Sequence, residues 1–189
     1  MSQLQIASRY AKSLIDLASE NKQLAEVYED VQSIAVVCKH QEFLSMLNSP
    51  IVHTDKKLAV MQQLFGGKLT DLTMKFTQLM IHKGRESLLA LICNAFIDQY
   101  KEIKKIKTAK VITAQPLGEQ ELNNVKTKFS HWLKAGETME LSQKTDPRII
   151  GGFLFEMGDR NYDATIKRQL EEMKENLYDK SYVSLVEKR

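Results

Sequence analysis

Apolar residues recur at intervals of three and four along the first 106 residues, and then the period is lost. Ile6, Tyr10, Leu14 and Leu17 follow one another at +4, +4 and +3, with Ala11 and Ala18 beside them. Leu24, Val27, Val31, Ile34 and Cys38 continue at +3, +4, +3 and +4. Leu88, Leu89, Ile92, Phe96, Tyr100, Ile103 and Ile106 form the longest such stripe. A period of this kind marks one face of an α-helix, and a chain that keeps returning to it buries its apolar faces by packing helix on helix.

The punctuation between stripes sets the helix boundaries. The first helix is expected over 3–20, broken at Asn21, and the second over 22–39. A short apolar segment, Phe43 to Leu47, ends at Asn48-Ser49-Pro50, because a proline disfavours helical geometry in the residue before it. Thr54 then reads as an N-cap with Asp55 near the positive end of the next helix dipole, and Gly66-Gly67 ends that helix. A fifth helix is expected from Thr70 to Lys83 with Leu72, Phe76, Leu79 and Met80 inward, and a sixth from Arg85 to Ile106. From Thr108 the signals change to those of strands and turns. TAKVITAQPL is rich in β-formers, a helix follows over 119–134, and Thr138 to Lys144 alternates as a strand. A turn at Asp146-Pro147, a strand from Ile149 to Phe155, a turn at Gly158-Asp159, the short strand NYDAT and a closing helix complete the order. That closing helix spaces Ile166, Leu170, Met173 and Leu177 at +4, +3 and +4, and the tail after Asp179 is expected to be loosely attached. The fold expected is mainly α. A six-helix bundle over 1–106 is followed by a small α+β domain over 107–189, joined near Lys104-Lys105-Ile106-Lys107.

Charge and motifs exclude several kinds of function. The chain carries 27 Lys and Arg against 24 Asp and Glu, and neither half is basic: 13 against 11 through residue 105, 14 against 13 after it. No nucleic-acid footprint follows from that balance. The five lysines over Lys101–Lys110 fall partly on a helix stripe opposite the isoleucines and read as a solvated face in preference to a nucleic-acid site. The longest stretch without Asp, Glu, Lys or Arg, Phe43 to Thr54, is twelve residues and holds Pro50, whereas a membrane span needs roughly 20 apolar residues. Arg9, Lys12 and Asp16 interrupt any secretory core segment, and the acid-free first fifteen residues read as a structural helix, not a transit peptide. Cys38 and Cys93 each lie in an apolar helical pattern and read as buried free thiols. The histidines, His40, His53, His82 and His131, sit at unrelated positions with no neighbour at helical spacing that completes a metal site, so none is expected. Gly66-Gly67-Lys68 lacks the upstream glycine of a phosphate loop, and Gly151-Gly152 precedes a strand, not a helix. Asp163 reads as a helix-entry residue. No cofactor and no catalytic constellation emerge, and two dissimilar halves without chemistry suggest a connector.

Specific strings carry a resemblance. RYAKSLIDLA at Arg9–Ala18, then LNSPIVHTDKK, LLALICNAFIDQY and AKVITAQPL, and most of all DPRIIGGFLFEMGDRNYDATIKRQL, resemble the F-type ATP synthase delta subunit family, relatives of the mitochondrial oligomycin-sensitivity-conferring protein. The resemblance covers roughly 4–178; Thr165 stands where serine is usual, and the tail from Lys180 to Arg189 is longer than in many members. It implies a non-catalytic subunit of the peripheral stalk, on the cytoplasmic face of the bacterial inner membrane, held there by partners without inserting itself. The N-terminal bundle would receive the N-terminal helices of the alpha subunits, and the C-terminal domain would hold the b-subunit stalk, so that the head does not turn with the rotor. By the same analogy the receiving groove lies between the first and fifth helices. Tyr10, Ser13, Leu14, Met74, Leu79 and Met80 are expected to line it, with Tyr28 nearby. Each of these reads equally well as bundle core; Leu14→Arg is expected to abolish that binding while leaving helix content intact, and equal loss of helix content would instead mark Leu14 as core. The b-subunit contact is expected on the last helix and the sheet edge. The alternative function is an RNA-binding or regulatory interaction module using the β-containing half, for which salt-sensitive binding would be the sign.

Overall fold

The computed structural model describes residues 2–183, with side chains described through residue 177. The chain forms two compact units, Met1–Ile103 and Lys104–Arg189. It is mainly helical, with eight α-helices and one four-stranded sheet among the described residues.

The first unit holds α1 (Gln3–Glu20), α2 (Leu24–Val37), α3 (Gln41–Asn48), α4 (Thr54–Phe65), α5 (Asp71–His82) and α6 (Leu89–Ile103). A capping box starts α1, with the Gln5 amide donating to Ser2 Oγ and the Ser2 amide donating to Gln5 Oε1. Ala7, Ala11 and Ala18 are fully buried, and these small side chains let α1 pack closely along α6. Leu14, Val27, Ile34, Met61, Met80, Leu89, Ile92 and Phe96 fill the core. Two buried charges tie helices together. Asp30 on α2 accepts from the Thr70 amide (2.8 Å) and hydroxyl (2.7 Å), holding the start of α5 where its dipole is positive. Lys57 on α4 donates to the Leu47 carbonyl at the end of α3 (2.7 Å) and to Glu86 Oε1 (2.6 Å).

Several sequence expectations are corrected. The N-cap of α4 is His53, with Thr54 inside the helix. The sixth helix begins as a 3-10 turn over Glu86–Leu88 and stops at Ile103, because Lys105 takes a left-handed φ of 55° and Ile106 enters a strand. On α5 the buried residues are Thr73, Thr77, Met80 and Ile81, while Leu72 and Phe76 are half-buried and Leu79 is exposed. The threonine hydroxyls find partners locally: Thr77 Oγ1 donates to the Met74 carbonyl (2.8 Å), and Thr73 Oγ1 bonds Thr70 Oγ1 (2.9 Å). A hydroxyl satisfied by its own helix is buried at little cost, so hydropathy alone mistakes which face of α5 is inside.

The second unit holds β1 (Ile106–Thr113), α7 (Glu119–Phe129), β2 (Thr138–Thr145), β3 (Gly152–Met157), β4 (Arg160–Thr165) and α8 (Ile166–Val183). The strand order is β2-β1-β3-β4; β2 is parallel to β1 and the remaining pairs are antiparallel. The crossover helix α7 covers one sheet face. There Val125 and Phe129 pack on Ala109, Val111, Phe155 and Met157, with Phe129 stacked on Phe155 at 4.0 Å. Two boundaries differ from expectation. The α7 helix gives way to a 3-10 turn at Ser130–Trp132, and β3 begins at Gly152, since the Asp146–Ile149 turn and the left-handed Gly152 (φ 80°) keep Ile149 and Ile150 out of the strand. The expected loose tail after Asp179 falls in part on residues 184–189, outside the described residues, and α8 itself continues to Val183.

Cys38 and Cys93 are free and buried. Burial pushes the Cys38 thiol up to about 11 and raises Cys93 as well, where the nearby Cys38 adds to the effect. The thiolate is the reactive form, so a thiol reagent at about pH 8 is expected to modify neither cysteine in the native chain and both in denaturant. Rapid labelling of the native chain would contradict this burial.

Candidate functional site

Burial of one face of α1 and one face of α5 leaves a flank of each exposed. In α1, Ala7, Ala11, Leu14 and Ala18 turn inward, so Ile6, Tyr10, Ser13 and Leu17 share a flank. In α5, Thr73, Thr77 and Met80 turn inward, and Leu72, Phe76 and Leu79 share a flank. The flanks meet through Tyr10, whose ring lies edge-on to Phe76 with centroids 6.5 Å apart. Arg85, just beyond α5, stands over the Tyr10 ring at 5.5 Å and donates a hydrogen bond to its phenol oxygen. Ile6, Arg9, Tyr10, Ser13 and Arg85 line an open cleft of about 550 Å³. Leu17 and Leu79 present 47% and 48% of their surface. The result is a groove with apolar and aromatic walls and arginines at one end. Its chemistry suits an amphipathic helix.

The residues singled out from sequence separate into three groups. Tyr10 and Ser13 line the cleft, with the Ser13 hydroxyl donating to the Arg9 carbonyl at 2.9 Å, and Leu79 is exposed on the flank of α5 that carries Phe76. Leu14 and Met80, 1% and 0% exposed, are core residues that support the groove from below. Leu14 and Phe76 line the same small interior space, so the groove floor is continuous with the core. Met74 and Tyr28 lie elsewhere. Met74 is two residues from Phe76, about 200° around the helix, and so sits on the opposite flank of α5. Tyr28 on α2 stacks on Tyr100 of α6 with centroids 3.9 Å apart. Sequence reasoning did not place Ile6, Arg9, Phe76 and Arg85 at the site. One signal was available: residues 1–15 and 72–85 contain no acidic residue.

In the second unit the apolar stripe of α8 stands exposed. Ile166, Leu170, Met173 and Leu177 show 42%, 54%, 62% and 72% of their surface. The signature segment before it is explained by backbone geometry. A Cβ on Gly152 would lie 2.2 Å from the Ala164 carbonyl oxygen, and one on Gly151 would lie 2.6 Å from Ile166 Cδ1. Asp163 accepts from the Thr165 amide (2.9 Å), which holds its carboxyl below the usual range, and Thr165 Oγ1 accepts from the Arg168 amide (3.3 Å) at the start of α8. Asp146 accepts three hydrogen bonds from Arg148, which bring its carboxyl down to about 2. These residues shape a turn and a helix entry, and their partners leave no acid–base pair poised for chemistry.

Of the five lysines at Lys101–Lys110, Lys107 lies 3.9 Å from Glu137 and Lys110 lies 3.8 Å from Glu156. Among the described residues no group of three His, Cys, Asp or Glu is placed to hold a metal, and no helix is long and apolar enough to cross a membrane.

The comparisons agree with one another. The family model described as ATP synthase delta (OSCP) subunit matches residues 6–177. The ATP synthase subunit delta of Cytophaga hutchinsonii is 38% identical over 175 residues, 92% of this chain and 94% of the relative. That of Syntrophomonas wolfei is 32% identical over 173 residues, 91% and 94% of the two chains. Among solved structures, a chain of the Toxoplasma gondii mitochondrial ATP synthase hexamer superposes with a TM-score of 0.67 at 25% identity, covering 91% of this chain and 97% of that one. With the match running through the groove helices and the signature segment alike, the chain belongs to the ATP synthase delta (OSCP) subunit family, as a structural subunit and not an enzyme in its own right.

Proposed function

We propose that this chain is a joint of the peripheral stalk, linking the catalytic alpha/beta head of an F-type ATP synthase to the b-subunit stalk. The head is thereby kept from turning with the rotor, and rotor torque goes into ATP synthesis. The helical unit Met1–Ile103 receives the N-terminal helix of an alpha subunit, and the α+β unit Lys104–Arg189 engages the b subunits through α8 and the sheet edge. The complex places the chain at the cytoplasmic face of the bacterial inner membrane, peripherally.

The observation that carries this reading is the apolar groove between α1 and α5, where Tyr10, Phe76 and Leu79 offer surface to a partner helix. A stator contact must hold under load. Nanomolar binding is about −12 kcal/mol, within reach of a helix burying roughly 800 Å² per partner. The exposed stripe of α8 supports the second contact in the same way.

The test is titration of the full chain with a synthetic peptide of the N-terminal helix of the alpha subunit from the same organism. Saturable binding is expected, and Leu79→Asp is expected to weaken it at least ~10-fold while leaving helix content unchanged, since an exposed anchor is lost and the core is untouched. Absence of saturable binding to correctly folded chain would sink the groove assignment.

A further inference from the structure

The cleft is lined by two arginines, Arg9 and Arg85, and by no acidic residue. Around the cleft the helix charges are mixed: Lys12 lies about 200° around α1 from Tyr10, and Asp16 stands two turns beyond Arg9 on the same side of the helix. Lys75 reaches back to Asp71 at the start of its own helix, at 3.9 Å and almost fully exposed, which screens it weakly. Arg85 is placed differently. Its observed hydrogen-bond partner is a neutral phenol oxygen, and its guanidinium is held over the Tyr10 ring at the mouth of the cleft that Arg9 also lines. A guanidinium fixed by stacking and one hydrogen bond keeps further donors in a planar fork suited to a carboxylate. Ser13 adds a hydroxyl oxygen at the same cleft.

We infer that the helix seated in this groove is acidic along one edge, and that one of its carboxylates binds at the Arg9–Tyr10–Arg85 end while its apolar face lies on Phe76 and Leu79. This rests on the groove reading above and adds a sign to it. The apolar walls supply most of the affinity, and the arginine end sets which way the helix lies and which helices are refused. A basic-edged helix of equal hydrophobicity would meet like charge at the arginine end. Attraction between exposed charges also makes the contact sensitive to salt.

The experiment uses the full chain, the same alpha-subunit peptide, and a version with its Asp and Glu changed to Asn and Gln. The neutralised peptide is expected to bind about tenfold more weakly, and Arg85→Gln in the chain to weaken the acidic peptide by a similar factor. The two changes together should cost little more than either alone, because they remove the same contact. Raising the salt should weaken the acidic peptide and leave the neutralised one nearly unchanged. Because Arg85 also touches Tyr10, the peptide-side change is the decisive arm, as it alters nothing in the chain. Tight binding by a peptide with no acidic residue, or equal binding by both peptides, would overturn the inference and leave the groove reading standing. No binding by either would overturn both.

Discussion

Leu14→Arg is expected to unfold the N-terminal unit, not merely to block its groove. Leu14 is 1% exposed and faces Ile34, Thr73, Ile92 and Phe96 across the bundle interior. A guanidinium there would have no partner, and an unpaired buried charge together with overpacking costs on the order of 4 kcal/mol or more, a large share of the stability of a small domain. The measurement is circular dichroism through a thermal melt. A variant with native helix content and an unchanged midpoint would show that Leu14 reaches solvent. Leu79→Asp serves as the companion, since it changes the groove surface and should melt as the parent does.

The second large effect is expected at Gly152. Its φ of 80° already strains any L residue, and an added Cβ would come within 2.2 Å of the Ala164 carbonyl oxygen across the β3–β4 pair. Backbone cannot yield as a flexible side chain can. Gly152→Ala is therefore expected to destabilise the second unit by about 3 kcal/mol or more. Gly158 gives the contrast: it has a φ of 58° with open space around it, so Gly158→Ala should cost only about 1 kcal/mol. Trp132, the single tryptophan of the chain, packs against Phe129 and Phe155 in this unit. Its fluorescence in a urea titration thus follows the α+β unit separately from the bundle. Equal midpoints for the two glycine variants would refute the close-approach argument.

The parts of the fold legible in the sequence are those where periodicity and punctuation agree. The first helix is one: its stripe runs unbroken from a capping serine to Asn21. The β3–β4 hairpin is another, since Gly158-Asp159 sits where the strands turn. What was not legible depended on compensation that a hydropathy pattern does not record. Thr73 and Thr77 are inside because their hydroxyls are satisfied locally, and that turns α5 so that Leu79 faces outward. Ile106 continues the helical stripe by spacing, yet the left-handed Lys105 ends that register and strand pairing claims the residue. The groove was legible only in part. Apolar spacing identifies Tyr10 but does not distinguish it from Leu14 one turn away, because both lie within the same stripe and only packing decides which is floor and which is wall. Nor does spacing single out Arg9 and Arg85, which are far apart in sequence and meet only at the cleft.

The order of strands has a mechanical consequence. The chain enters its second unit directly through β1, an inner strand, bonded to β2 along Ile106–Thr113 and to β3 along Ala109–Thr113. Tension arriving along the backbone at Lys104–Lys105 pulls β1 lengthwise between two neighbours. Ladder bonds that lie across a strand are then loaded in shear and must give way together, whereas an edge strand peeled from its end gives way one bond at a time. In the proposed role as a stalk joint such a tether would be an advantage, because the strand that takes the force is gripped on both sides.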